Sequence, residues 1–118
     1  MTEDQTLLEK AARAAGYNFQ WEPALLNEAP EPTVFSPEGF GQYWNPLTSD
    51  GDALRLAVAL GIGAQCHRNN NGEGYALAST GCPEIQNIES GDDPYAATRR
   101  AIVRAAASLA KDAGGAEV

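Results

Sequence analysis

Basic residues are scarce in this chain. It carries 8 Lys+Arg against 16 Asp+Glu, a formal net charge of −8. A general nucleic-acid binder needs a basic surface to displace counterions from phosphates, so that class is disfavoured. Docking on anionic lipid is disfavoured for the same reason. Cysteine is scarce too, since Cys66 and Cys82 are too few for a disulfide scaffold. No apolar run approaches the ~18 residues of a membrane-spanning helix. The start, Met1-Thr2-Glu3-Asp4-Gln5, has neither the positive charge nor the apolar stretch of a secretory signal. A soluble cytoplasmic protein is the expectation.

What is present suffices for one core. The 118 residues are 43% hydrophobic and include three Phe, two Trp and four Tyr. That composition predicts one ordered domain over 1–118, with a frayed tail from about 114. There is no internal repeat.

The apolar spacing predicts a first helix over about 2–15, capped by Thr2 with Gln5 as the other half of a capping box. Leu7, Leu8, Ala11, Ala12 and Ala15 form its apolar stripe, and Gly16 ends it. Tyr17 to Trp21 alternates aromatic and polar, which predicts a strand stopped by Pro23. Residues 22–46 hold five of the seven prolines, four Glu and no Lys or Arg. They read as a long loop with one short strand near Thr33-Val34-Phe35, and a loop of that length in a small domain suggests function or mobility.

Ser49-Asp50-Gly51-Asp52 offers a cap and acidic first-turn residues for a second helix. Leu54, Ala57, Val58 and Gly61 are expected to face inward, with Arg55 outward. Ile62–Arg68 and Gly74–Ser79 read as a hairpin across Asn69-Asn70-Asn71-Gly72. The expected register pairs Arg68 with Glu73, Cys66 with Tyr75 and Ala64 with Leu77. Glu84–Glu89 is a weaker strand expected to need a bulge. A last helix runs from Pro94 to about Ala113, capped by Asp93. Its expected inward stripe is Tyr95, Ile102, Ala106 and Leu109. Strands joined by hairpins predict an α+β fold, three helices packed on a three- or four-stranded antiparallel sheet as an α/β sandwich.

Two strings carry a resemblance. They are Trp44-Asn45-Pro46-Leu47-Thr48-Ser49-Asp50-Gly51-Asp52-Ala53-Leu54-Arg55-Leu56-Ala57 and Asp93-Pro94-Tyr95-Ala96-Ala97-Thr98-Arg99-Arg100-Ala101-Ile102-Val103-Arg104-Ala105-Ala106. Together, over roughly residues 7–112, the chain resembles the phage ABA sandwich domain family of small bacteriophage and prophage proteins. Ser49 stands where that pattern has a second acidic residue, and either side chain can cap the helix. The resemblance implies a layered α/β sandwich and expression in a bacterial host cytoplasm. It implies no activity, catalytic residue or cofactor.

The residues themselves offer little catalytic chemistry. Cys66 and His67 are adjacent on a strand and point to opposite faces, which does not suit a four-ligand zinc site or a Cys–His nucleophile pair. A buried Cys66 beside a surface His67 is the expectation, and a Cys66–Cys82 bridge does not fit the register. Asp50-Gly51-Asp52 is not an EF-hand start, because position twelve is Gly61 rather than Glu. No catalytic residue, metal site or cofactor is expected.

Interaction chemistry is better represented. Between residues 14 and 54 there are six acidic residues and no basic one. An acidic surface can occupy a basic site on another protein, or serve only solubility. The expected partner-binding residues are Trp44, Tyr43, Glu28, Glu31, Glu38, Asp50 and Asp52, facing an unidentified protein of basic character in the host. Trp44 either pins the loop to the body or is an exposed anchor for that partner. Tyr17, Phe19 and Trp21 are expected in the core. The alternative is a small nucleic-acid-associated module that contacts phosphates through Arg99, Arg100 and Arg104. For these arginines, surface pairing with the surplus carboxylates is favoured.

Overall fold

A computed structural model of the chain describes residues 2–23, 30–68, 74–79, 86–91 and 93–110, with the backbone alone at 67–68, 74–75 and 86–91. The elements run α1 (Glu3–Ala15), β1 (Asn18–Glu22), β2 (Glu31–Phe35), β3 (Gly41–Tyr43), α2 (Asp50–Leu60), β4 (Gly63–Arg68), β5 (Gly74–Ser79), β6 (Gln86–Gly91) and α3 (Pro94–Ser108). The fold is α+β: three helices and, among the described residues, strands that all pair antiparallel. The strands form two three-stranded sheets, ordered β1-β2-β3 and β4-β5-β6. The second sheet is the one the sequence outlined. The first arises where a long loop was expected over 22–46, around the short strand anticipated near Val34.

The helix ends follow local chemistry. Thr2 and Gln5 complete the capping box of α1, and its C-cap Gly16 is left-handed. Ser49 Oγ accepts from the Asp52 amide at the start of α2. Asp93 accepts from the amides of Tyr95 and Ala96, with Pro94 at the first position of α3. These bonds satisfy amides that have no partner inside their helices.

The core is built around α3, which packs on α1, α2 and all three strands of the second sheet. Its buried residues are Ala97, Ala101, Ile102, Val103, Ala105, Ala106 and Ala107. The expected stripe is right at Ile102 and Ala106 and wrong at the ends: Tyr95 is 67% exposed and Leu109 39%. Five alanines go inward beside Ile102 and Val103, and the large side chains at the two ends turn out. Small side chains let the helix sit close to the strands beneath it, which is how dense packing is reached with few methylenes.

The same constraint corrects the β4–β5 register. Arg68 pairs with Gly74, Cys66 with Ala76 and Ala64 with Ala78, one residue away from the expected pairing. A one-residue slip exchanges the two faces of a strand. Ala76 and Ala78, each no more than 1% exposed, therefore meet α3, and Leu77 is half-buried on the other face. Bulk favoured Tyr75 and Leu77 for the inner face, but an alanine-lined helix leaves no room for them. β6 pairs with β5 without a bulge, Leu77 opposite Ile88. Cys66 is exposed rather than buried, and its Sγ lies 3.2 Å from Thr98 Oγ1.

Helix α2 is rotated from the expected orientation. Its buried residues are Asp52, Ala53, Leu56 and Ala57, while Leu54 and Val58 are 64% and 75% exposed. The cause is Asp52. Its carboxylate accepts from the Asn45 amide at 3.0 Å and from Arg55 at 2.9 Å. That polar anchor turns the row Asp52–Leu56–Leu60 inward, since residues four apart share a helix face, and Leu54 and Val58 turn outward.

The alanine contact is testable. Ala78→Leu forces methylenes against α3 and should lower unfolding free energy by about 1–3 kcal/mol, read by urea denaturation. Leu54→Ala on the exposed face should change it by less than about 0.5 kcal/mol.

Candidate interaction surface

The segment expected as a loop is a hairpin. Ser36-Pro37-Glu38-Gly39 makes the turn: the Gly39 amide donates to the Ser36 carbonyl at 2.9 Å, and the Ser36 amide donates to the Phe40 carbonyl at 2.9 Å. Ser36 Oγ accepts from the Phe40 amide at 3.1 Å. Serine first, proline second and glycine fourth is the pattern of a type I turn. Gly39 has φ +95°, a conformation costly for other residues, and it closes the three-residue hairpin loop.

That turn sets β3 against β2, with Thr33 opposite Tyr43 and Phe35 opposite Gly41. The Phe35 ring lies across Gly41 so closely that a Cβ there would come within 2.8 Å of it. Phe40 and Tyr43 are left outward, 76% and 52% exposed. Glu38 is exposed at the turn and Glu31 at the start of β2. A hollow of about 500 Å³ lies between the α1–β1 junction and this hairpin, lined by Tyr17, Asn18, Val34, Phe35 and Phe40 among others. Two exposed aromatics and two exposed carboxylates thus stand on one hairpin, Phe40 beside this hollow and Tyr43 with Glu31 beside a separate one against α1. Large aromatics with a polar surround are the usual anchors of protein interfaces.

The other expected partner residues fall elsewhere. Trp44 is 5% exposed and sits in the core. Its ring meets Tyr17 edge-on at 5.6 Å and Phe19 at 5.8 Å. Phe19 meets Trp21 at 5.2 Å, and Trp21 Nε1 donates to Glu9 at 2.6 Å. Of the two roles weighed for Trp44, pinning is the one its burial fits. Asp52 is 6% exposed and committed to Asn45 and Arg55. Asp50 is exposed, with Arg99 donating to it at 2.7 Å. Glu28 lies outside the described residues, as do Cys82 and the tail.

The Trp44–Asp52 string is therefore a structural unit. Asn45 Oδ1 accepts from the Leu47 amide, and the Asn45 carbonyl accepts from the amides of Thr48 and Ser49. Pro46 is fully buried. Asn45, Ser49 and Asp52 serve the turn into α2, while Asp50 is held by Arg99 of α3.

The arginine cluster is engaged within the chain. Arg99 Nε donates to the Leu47 carbonyl at 2.8 Å. Arg100 pairs with Glu3 and Asp4, and Arg104 with Glu3 at 2.7 Å. These contacts tie α3 to α1 and to the turn before α2. Phosphate binding would have to break them. No group of three or more His, Cys, Asp or Glu is placed to hold a metal ion among the described residues, and no helix among them is long and apolar enough to cross a membrane.

The two aromatic environments make opposite predictions. Trp44→Ala should destabilise the fold by about 3–5 kcal/mol, as loss of a large buried aromatic does. Phe40→Ala should shift the urea midpoint by less than the equivalent of about 0.5 kcal/mol.

The family models searched include none that matches this chain, and no curated protein matches it.

Proposed function

We propose that this chain is a non-enzymatic protein-interaction module that uses the β2–β3 hairpin as its contact surface. Exposure of Phe40 and Tyr43 on an ordered hairpin carries the reading. A rigid aromatic buries a large area while losing little side-chain entropy, so it binds well once a partner covers it. Glu31 and Glu38 beside these rings, with no Lys or Arg between residues 14 and 54, select a partner with a basic rim around an apolar pocket. Such complementarity raises the association rate and rejects acidic competitors.

The biological setting is the one that the phage ABA sandwich resemblance implies: an accessory protein of phage or prophage acting on a host or phage protein in the bacterial cytoplasm. The α+β fold with three helices agrees with that kinship. Trp44, Pro46 and Asp52 of the resembling string are buried, and the exposed aromatics Phe40 and Tyr43 lie outside that string.

The test is an affinity capture from bacterial lysate with the tagged chain, with and without nuclease, read by mass spectrometry. The expected result is a basic protein that survives nuclease and falls more than ~10-fold with Phe40→Ala plus Tyr43→Ala. Its binding should weaken as salt rises, because the carboxylates steer an exposed encounter. Capture unaffected by those substitutions would overturn the hairpin surface. Proteins lost on nuclease treatment would favour nucleic-acid association through the arginine face instead.

A further inference from the structure

The backbone of the hairpin carries chemistry of its own. The Trp44 amide donates to the Pro32 carbonyl at 3.0 Å, and the Ser36 amide donates to the Phe40 carbonyl at 2.9 Å. In an antiparallel ladder, residue pairs that exchange bonds alternate with pairs that do not. With Val34 opposite Gln42, the bonded pairs are Pro32–Trp44, Val34–Gln42 and Ser36–Phe40. Thr33–Tyr43 and Phe35–Gly41 are the pairs without bonds. The N–H and C=O groups of Gly41 and Tyr43 therefore point away from β2. β3 is the last strand of its sheet, and none of these four groups has a hydrogen-bond partner among the described residues. Gly41, Gln42 and Tyr43 are all exposed. They include no Pro, Lys, Asp or Glu, the residues that commonly blunt an edge. The bonds at Phe40 and Trp44 carry the pairing one residue beyond β3 at each end.

We propose that β3 takes up an extended, lysine- or arginine-bearing segment of a partner protein as a fourth strand of the first sheet. This rests on the hairpin being the contact surface and names how the contact forms. Main-chain bonds to Gly41 and Tyr43 hold the segment, and alternate side chains select it. Partner side chains level with Gln42 share its face, where Val34, Phe40 and Gln42 line the hollow of about 500 Å³. An apolar side chain suits that position. Those level with Gly41 and Tyr43 fall on the other face, with Phe35 and Thr33. Gly41 puts no side chain between the Phe35 ring and a partner residue at that level.

Charge selects the occupant. Glu38 is exposed at the turn end of the edge, and Glu31 is exposed toward the other end. No Lys or Arg occurs between residues 14 and 54, and no basic side chain lines either hollow beside the hairpin. A segment with basic residues on both sides of its apolar ones meets a carboxylate at each end. A second copy of this chain is a poor occupant. Two β3 edges paired antiparallel about Gln42 would turn the Glu38 of each copy toward the Glu31 of the other, in a molecule of net charge −8.

The experiment is amide hydrogen exchange by NMR on the isotope-labelled full chain, alone and with a synthetic nonapeptide at up to millimolar concentration. The peptide has two lysines at each end and alternating valine and threonine between them. In the free chain the Gly41 and Tyr43 amides should exchange faster than the Gln42 amide, which Val34 holds. With peptide bound, both should slow by at least ~10-fold. The same peptide with glutamate in place of lysine should bind at least ~10-fold more weakly. Tyr43→Pro removes an outward N–H and no bond to β2, so it is tolerated at an edge and should weaken binding at least ~10-fold beyond Tyr43→Ala, both variants being checked for folding by circular dichroism. Gly41 and Tyr43 amides already as slow as that of Gln42 in the free monomer would overturn the proposal. So would absence of binding, equal binding of the glutamate peptide, or equal loss in Tyr43→Pro and Tyr43→Ala. Peptide that shifts the Phe40 and Tyr43 ring signals but leaves both amides unprotected overturns strand addition while the hairpin surface stands. A dimer of the chain with both amides protected would put a second copy on the edge, which also overturns it.

Discussion

The contact of alanine on alanine between α3 and the second sheet governs the rest of this structure. Five of the seven buried residues of α3 are alanine, and they sit on a sheet whose central strand presents Ala76 and Ala78. No single alanine contributes much transfer free energy, since burial scales with apolar area. What small side chains allow is close approach, so that many weak dispersion contacts form at once. The polar links around α3 have a different part. The pairs of Arg100 and Arg104 with Glu3 and Asp4 are partly exposed, and pairs of that kind are worth about 0–1 kcal/mol each. They orient α1 against α3, while the alanine faces hold it there.

Close approach has a geometric consequence. A helix is about 10 Å across, and strands are about 4.8 Å apart, so one helix shields about two strands. α3 takes β5 and β6. The third strand, β4, would need a second helix laid over it, and among the described helices α2 is the one beside it. But α2 is held by the Asp52 carboxylate on the Asn45 amide. Turning α2 to bury Leu54 and Val58 would carry Asp52 away and leave the part-buried Asn45 amide without its acceptor, a cost of about 1–3 kcal/mol. The polar anchor wins, Leu56 faces α3, and Leu54 and Val58 face outward. The apolar groove left between α2, α3 and β4 is the residue of that competition rather than an accident of loop geometry.

Local chemistry was legible in the sequence, and tertiary choice was not. All three helix starts could be read from Thr2, Ser49 and Asp93, because a cap is settled within four residues. The helix end at Gly16 and the strand before Pro23 are equally local. The orientation of α2 was misread because hydrophobic periodicity assigns Leu54 and Val58 to the core, and nothing within the helix reveals that Asn45 outbids them for Asp52. The β4–β5 register was misread for the same kind of reason: side-chain bulk ranks Leu77 above Ala78, and only the presence of α3 reverses the order. The first sheet was legible in part. Thr33-Val34-Phe35 marked β2, and Ser36-Pro37-Glu38-Gly39 was the available signal for its hairpin, masked by reading the prolines together as one loop. Of the expected partner residues, exposure could not be told from burial, which is why Tyr43 and Trp44, neighbours in sequence, end on opposite sides of the surface.

The side chains and the backbone of the hairpin act at different ranges, and that difference lets a small surface select its partner. The hairpin face is acidic, so its encounters are steered over about 8–10 Å and are screened by salt. The outward N–H and C=O groups of Gly41 and Tyr43 act only at bonding distance. They also read no sequence, because every segment has a backbone. Charge would then choose which segments arrive, the hollow beside Phe40 would choose the side chain, and the backbone would hold the one that fits. Phe40 and Tyr43 stand on opposite faces of the hairpin, since successive side chains of a strand alternate. A strand added beside them meets one ring above and one below, which suits a surface that offers two aromatic anchors rather than many.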